Sequence, residues 1–173
     1  MNPEHQLLER ALDHNAWAIR ELLSCCRGMP EEEFHRDFEI GLGNLHATLS
    51  HVITAMGRWS DRVSGRPPRE VPEGPWSVEE LESMLCDLDG QLREAVLGIV
   101  ERGELGEIME FRLVRGGGDG GENDVFHFTK CSAVVHILSH GVHHRAQALN
   151  MLRHLGREVP DLDPITCELD SPD

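Results

Sequence analysis

Four long segments of the chain carry apolar residues at intervals of three and four, and this periodicity constrains the fold more than any other feature. Such spacing collects apolar side chains on one face of an α-helix. Glycine and proline residues, which end helices, separate the segments. The pattern therefore predicts long amphipathic helices that bury these faces against one another. The apolar positions of the first three segments are Leu7, Leu8, Ala11, Leu12, Ala18, Ile19, Leu22 and Leu23; Leu45, Leu49, Val52, Ile53, Met56, Trp59 and Val63; and Leu81, Met84, Leu85, Leu88, Leu92, Val96 and Ile99.

Local signals predict where the helices begin and end. Pro3 suits the first position of the first helix, and Asn44 is a candidate N-cap for the second. Residues 77–80 read SVEE, a capping box that opens the third helix. Thr129 is a candidate N-cap for the last helix, and Gly156 is suited to the position just after its end.

The helical period gives way to alternation between the third and last helices. Residues 107–114 (EIMEFRLV) alternate apolar and polar side chains, and residues 125–128 (VFHF) can form a return strand. The intervening glycine-rich stretch lacks the Lys-Ser/Thr of a phosphate loop and is expected to be a turn. The chain is therefore predicted to be all-α: a four-helix bundle with a short β-hairpin insertion before the last helix.

Length and composition limit the domain organisation and the partners. The 173 residues fit a single domain, residues 1–173, with a core over about residues 5–157 and an irregular acidic C-terminal tail. A formal net charge of −15 disfavours nucleic acids and anionic membranes as partners. The chain has no apolar run long enough for a membrane span, and its polar N-terminus does not resemble a signal peptide. The odd number of cysteines and the lack of CxxC pairs predict reduced thiols in a cytoplasmic protein: Cys25, Cys26, Cys86, Cys131 and Cys167.

The last helix is dense in histidine. Residues 136–156 read HILSHGVHHRAQALNMLRHLG, and all four histidines at its start lie within about 60° of His140 on a helical projection. Ala133, Ile137, Ala148 and Met151 share this face. The opposite face is also apolar, which predicts a helix buried on two sides, one against the bundle and one against the hairpin or a second subunit. That opposite face carries Val134, Val135, Leu138, Val142, Leu149 and Leu152.

Two pairs in this helix, His136 with His140 and His140 with His144, have the i, i+4 spacing that lets two imidazoles share one metal ion. A catalytic zinc site needs about three protein ligands and an open position. The second helix offers His46 or His51 as the third ligand, and periodicity leaves both open. Small neighbours (Ala47, Thr48 and Ala55) favour His51. The competing interpretation is a buried histidine-rich face without a metal.

Three stretches of the sequence resemble the DinB-like (YfiT-like) family of metalloenzymes. They are residues 14–23 (HNAWAIRELL), residues 44–65 (NLHATLSHVITAMGRWSDRVSG) and residues 136–156. The third is similar to the His-x-x-x-His-Arg-Gly-Gln signature of the family's last helix. The resemblance covers about residues 5–157 and implies a four-helix bundle that is usually a homodimer.

The resemblance also implies a site in which His51, His140 and His144 hold one divalent metal ion. Arg145 and Gln147 match the end of the signature. Two positions depart from the family pattern: Ala146 replaces a glycine, and Met56 stands where an acidic residue is common. The resemblance leaves structural or supporting roles to His136 and His143, and the histidines expected at the surface or at caps are His5, His14, His35, His127 and His154.

Three imidazoles suit zinc, nickel, copper and iron(II). We expect zinc first and nickel next, with iron or manganese as further candidates. The resemblance points to a thiol-dependent S-transferase or isomerase that uses a low-molecular-weight thiol such as bacillithiol, mycothiol or glutathione and an electrophilic substrate. Arg145, as a candidate catalytic residue, can pair with a cosubstrate carboxylate. The alternatives are a metal-dependent hydrolase, which the absence of HExxH disfavours, and a non-catalytic metal-binding stress-response dimer.

Overall fold

The computed structural model describes residues 3–71, 74–114 and 123–170 of the chain. Among these residues, four long helices pack as a bundle in which α1 and α3 each contact both α4 and α5. The predicted four-helix bundle is confirmed. Its elements, with the strands and short helices, are α1 (Pro3–Cys26), α2 (Glu31–Phe34), α3 (Leu45–Val63), α4 (Val78–Glu101), β1 (Ile108–Val114), β2 (Asn123–Thr129), α5 (Lys130–His154) and α6 (Pro164–Asp170).

The predicted helix starts are confirmed in detail. The Asn44 side chain accepts a hydrogen bond from the backbone N–H of Ala47, 2.7 Å away. Ser77 and Glu80 form the reciprocal bonds of a capping box at the start of α4. Thr129 caps α5, where its hydroxyl accepts the backbone N–H of Ser132. Because each cap binds backbone N–H groups that have no partner inside the helix, these residues fix where the helices begin.

The core lies between the four long helices, each of which contributes large apolar side chains. Most of the apolar side chains that the helical spacing predicts for this core are buried, whereas Leu7 is 71% exposed. The largest fully buried ones are Leu12, Ile19, Leu22, Leu23, Leu45, Leu49, Ile53, Leu81, Leu85, Leu92, Ile99 and Met151.

The predicted hairpin is also confirmed. Strands β1 and β2 are antiparallel, with Met109 opposite Phe128 and Phe111 opposite Phe126. Phe111 and Phe128 of the hairpin pack on Trp59 of α3, whose ring lies 5.6 Å from that of Phe111. Most of the predicted glycine-rich turn lies outside the described residues. The hairpin thus lies against the bundle beside α3 and α5.

The prediction of an irregular C-terminal tail needs correction. Residues 157–163 have no regular structure, but Pro164–Asp170 form α6. The Asp163 side chain accepts the backbone N–H of Ile165, and His14 Nε2 lies 2.8 Å from the backbone oxygen of Leu162. Cys167 is buried in this segment. The tail folds back onto α1 because it carries its own helix start and an apolar contact.

Within a single chain the second face of α5 is covered only in part, and its burial against a second subunit stays a prediction. Val134 and Leu152 are buried, but Val135 and Val142 are 62% and 55% exposed. Both exposed valines point away from the interface with α3, and the hairpin does not cover them. Among the described helices, none combines the length and apolar character that crossing a membrane requires.

Candidate metal centre

Three imidazoles from two helices converge at one point inside the bundle. His51 Nε2 on α3 lies 3.0 Å from His140 Nε2 on α5, and His144 Nε2 lies 3.2 Å from the same atom. The three candidate ligand atoms all fall within 4.8 Å of one another. Within the described residues, this is the single group of His, Cys, Asp or Glu side chains gathered closely enough to share an ion.

The spacing of these nitrogens fits a metal ion. A tetrahedral zinc with Zn–N bonds of about 2.0–2.1 Å holds its ligating nitrogens about 3.3 Å apart. The observed separations from His140 Nε2 are close to this value. The arrangement is therefore compatible with a three-histidine site that leaves a fourth position open.

The structure distinguishes the two histidines that the sequence left open in the second helix. His51 belongs to the cluster, whereas His46 Nε2 accepts a hydrogen bond from the backbone N–H of Trp76, 3.1 Å away. The imidazole of His46 also stacks on His35, with ring centroids 4.5 Å apart. His46 therefore anchors the linker before α4 and takes no part in the cluster.

All three clustered histidines are biased toward the neutral form that binds metals. Burial is the first cause, and it lowers the pKa of His51 to about 4 and that of His140 to about 3. Repulsion between cations adds to this effect, because protonating His51 would place its charge near Arg58 and a protonated His144, and protonating His140 would place its charge near the other protonated histidines. Burial also lowers the pKa of His144. Neutral imidazoles keep the lone pairs that a metal needs.

Gln147 fixes which nitrogen His144 presents to the cluster. Its Oε1 accepts the Nδ1–H of His144 at 2.8 Å, so the lone pair lies on Nε2. The amide nitrogen of Gln147 donates in turn to His143 Nε2 at 2.9 Å. Gly41 lies directly over Gln147, and a Cβ at that position would collide with the amide. Histidine ligands are commonly oriented in this way by a partner on the second nitrogen.

His136 and His143 lie beside the cluster, and neither belongs to it. The His136 ring is 5.4 Å from that of His140 and 4.9 Å from that of Trp59. His143 is exposed and contacts Gln147. These contacts agree with the supporting roles expected for both residues.

Arg145 is buried between α5 and α1. It is 4% exposed, and its Nη1 donates to Oδ1 of Asn15, which is itself buried. Burial lowers the pKa of Arg145 to about 10. A Cβ at Gly141 would collide with both side chains, so this glycine allows the two helices to approach. The substituted signature position, Ala146, is exposed and does not affect this packing.

The side of the cluster toward α1 is closed by apolar residues. Met56 is buried and lines a cavity of about 10 Å³, which also touches His140 and Asn15. Space of this size holds about one water molecule. Met56 brings no carboxylate to the cluster, whereas an acidic residue is common at this position in the family that the sequence resembles.

Sequence reasoning did not predict the role of Asn15. A detectable signal exists, because Asn15 lies three residues after Leu12 and four before Ile19, both of which are buried on the core face of α1. A polar side chain at such a position needs a hydrogen-bond partner inside the protein. Its partner, Arg145, is 130 residues away in the chain.

The fold and the cluster together define a helical bundle with a three-histidine site, and comparisons with known proteins agree with this fold. The family model described as the DinB family matches residues 1–95 and 122–170, on both sides of the hairpin turn. The chain belongs to the DinB family. Protein DinB of Bacillus subtilis is 21% identical over 154 residues, which cover 83% of this chain and 83% of the relative.

A solved structure shows the same fold. The crystal structure of a DinB-like protein from Bacillus cereus superposes with a TM-score of 0.56 at 15% sequence identity. The match covers 84% of this chain and 90% of that chain. At this identity the likeness supports the fold, and the site stands on its own geometry.

Proposed function

We propose that this protein binds one divalent metal ion through His51, His140 and His144 and activates a low-molecular-weight thiol there, as a thiol-dependent S-transferase or isomerase. The observation that carries the proposal is the convergence of three neutral imidazole nitrogens. Imidazoles bring no negative charge, so an ion bound by them keeps its full double charge. Zinc is the first candidate for this ion and nickel the next, with iron or manganese after them.

A divalent ion in this site would act as a Lewis acid that lowers the pKa of an entering thiol, which is about 8.5 in free cysteine. In a transfer reaction the thiol sulfur forms a bond to an electrophilic carbon, and the leaving group departs with its bonding electrons. The thiol proton passes to solvent. In an isomerisation the sulfur adds to the substrate and is later expelled, so the thiol is regenerated.

The thiol is expected to come from a cosubstrate because the chain's own cysteines are elsewhere. None of the five belongs to the histidine cluster, although all five lie within the described residues. Burial raises the pKa of Cys26 to about 12, which keeps that thiol protonated and unreactive.

Hydrolysis is the weaker alternative. A metal-dependent hydrolase needs a general base near the attacking water. Within the described residues the cluster contains no carboxylate, and Met56 lies beside His140. A non-catalytic metal-binding protein is the remaining alternative, and substrate assays distinguish the three.

The test is to incubate metal-loaded protein with bacillithiol, mycothiol or glutathione and a chromogenic electrophile, and separately with ester and amide substrates. We expect thiol conjugation that His140→Ala abolishes and that His127→Ala, at an exposed position on the hairpin, retains. Ester or amide turnover without thiol conjugation would favour the hydrolase. Full metal content without any turnover would favour the non-catalytic protein.

We also propose that the protein forms a homodimer. A groove of about 280 Å³ between α1 and α5 is lined by Leu7, Leu138 and Val142, and Leu7 is 71% exposed. Burial of these exposed apolar side chains against a second copy of the chain would stabilise a dimer. Light scattering is expected to give a dimer that Val142→Glu dissociates and that Leu42→Glu, at an exposed site before α3, leaves intact. A monomeric wild-type protein would contradict this proposal.

A further inference from the structure

One face of α3 leads from the histidine cluster to two arginines. Arg58 and Arg62 follow His51 by seven and eleven residues, which places both within about 20° of its direction on the helix. Along the helix axis they lie about 10 Å and about 16 Å from His51. Arg58 is close enough for its charge to contribute to the lowered pKa of His51.

Neither of these two arginines forms an ion pair with a carboxylate of the described residues. Asp61 is their neighbour in sequence, but its carboxylate is bound by Arg69 and Arg66. The Asp61 carboxylate still attracts Arg62, but without an ion pair. In a chain with 31 acidic and 16 basic side chains, two neighbouring arginines with no ion-paired carboxylate among the described residues form an unusually positive region.

Aromatic rings hold Arg62 in place. Its guanidinium carbon lies 5.2 Å from the ring centroid of Trp59 and 5.1 Å from that of Phe111. Trp59 and Phe111 stack on each other, and Trp59 also contacts His136, the neighbour of His140. A guanidinium held through its face keeps the N–H groups at its edge free for a planar anion. The contacts therefore form a continuous path from the histidine cluster to an oriented cation.

We propose that Arg58 and Arg62 form a carboxylate-binding subsite for the thiol cosubstrate, which is consequently an anionic thiol with its carboxylate several bonds away from the sulfur. This inference rests on the proposed function, since it assumes that the sulfur binds at His51, His140 and His144. An extended peptide spans about 3.3–3.6 Å per residue, so a thiol of tripeptide size is about as long as the helix rise between His51 and Arg58. Arg145, being buried against Asn15, is less accessible to a carboxylate than either of these arginines.

The test compares glutathione with its diethyl ester, which keeps the thiol and removes both carboxylates. Binding to the cobalt(II)-loaded protein is followed by the sulfur-to-cobalt charge-transfer absorption, so the readout does not depend on turnover. Arg58→Gln and Arg62→Gln are each expected to weaken glutathione binding about tenfold or more, since charge-assisted hydrogen bonds to a carboxylate are lost. Both variants are expected to bind the diethyl ester within about twofold of wild type, as the ester makes no such bond.

Arg153→Gln is the matched control, because it removes one charge from an exposed position at the end of α5. Arg153→Gln is expected to bind both glutathione and the diethyl ester as tightly as wild type does. The cobalt content of every variant is measured to check that the histidine cluster is intact. Equal affinity of wild type for glutathione and its ester would overturn the subsite and leave the proposed function standing. Failure of both thiols to give the charge-transfer band would overturn the proposed function itself and the subsite with it.

Discussion

His51 Nε2 and His140 Nε2 lie 3.0 Å apart, although 89 positions separate the two residues in the chain. The packing of α3 on α5 brings them together. At one end of this interface the hydroxyl of Thr48 contacts the sulfur of Met151, and at the other the ring of Trp59 contacts that of His136. The cluster lies between these contacts, so its geometry depends on the register of two helices.

Removing the amide of Gln147 is expected to weaken metal binding without unfolding the protein. Gln147→Met keeps the length of the side chain but loses the acceptor for the Nδ1–H of His144, 2.8 Å away. Loss of such a partner typically lowers metal affinity about 10- to 100-fold. Competition with a chelating dye measures this affinity.

Gln147→Glu is the control, because its carboxylate can still accept the same Nδ1–H. It is expected to bind metal at least as tightly as wild type. Unchanged affinity in the methionine variant would show that Gln147 does not orient His144.

Two glycine-to-alanine substitutions are expected to change stability in opposite directions. Gly141→Ala would force a methyl group against Asn15 and Arg145, and overpacking of this kind costs about 1–3 kcal/mol. Gly90 lies on the exposed side of α4, where a Cβ added by Gly90→Ala would have no neighbour within 4 Å. This substitution is expected to stabilise the protein by about 0.5–1 kcal/mol, because alanine loses less backbone entropy in a helix.

Urea denaturation of the two variants and wild type measures both effects. If Gly141→Ala proves as stable as Gly90→Ala, the close approach of α1 and α5 at this point is not a constraint on the fold.

Most of the fold is predictable from the sequence because its signals are local. The apolar spacing gives the four long helices, and side chains such as Asn44, Ser77 and Thr129 cap helices through neighbours three residues away. The hairpin is likewise predictable from alternation. The start of α6 carries a comparable local signal, Asp163 before Pro164, so this helix could also have been predicted.

The geometry of the site is less predictable because it depends on contacts between distant segments. Periodicity places His46 and His51 on opposite edges of the α3 stripe and does not rank them. The two residues have different roles because His46 accepts a hydrogen bond from the backbone N–H of Trp76 in the linker, whereas His51 contacts His140 of α5. The exposure of Val142 has the same origin, since an apolar residue does not reveal from sequence whether a neighbour covers it.

The ion pair of Asp61 is expected to make stability depend on pH in the acid range. Hydrogen bonds from Arg69 are the first cause that lowers the pKa of this buried carboxyl to about 2, from an ordinary value near 3.8. Because the folded-state pKa lies below the unfolded one, the stabilisation is present above about pH 4 and is lost as pH falls through about 2. A difference of this size corresponds to about 2 kcal/mol.

Asp61→Asn is therefore expected to lower the free energy of unfolding by about 2 kcal/mol or more at pH 7. The difference from wild type should shrink by about half at pH 3. Urea titrations of both proteins at pH 7, 5 and 3 measure it. A difference that stays constant across this range would mean that the carboxylate charge does not stabilise the fold.

The most direct test of the account is the metal content of untagged protein, purified without a metal column, for wild type, His140→Ala and His143→Ala. His140 contributes the nitrogen that lies closest to both other ligand atoms, whereas His143 is an exposed neighbour outside the cluster. We predict about one divalent ion per chain in wild type and in His143→Ala, and little or none in His140→Ala. Wild-type metal content in a folded His140→Ala variant would contradict the three-histidine centre.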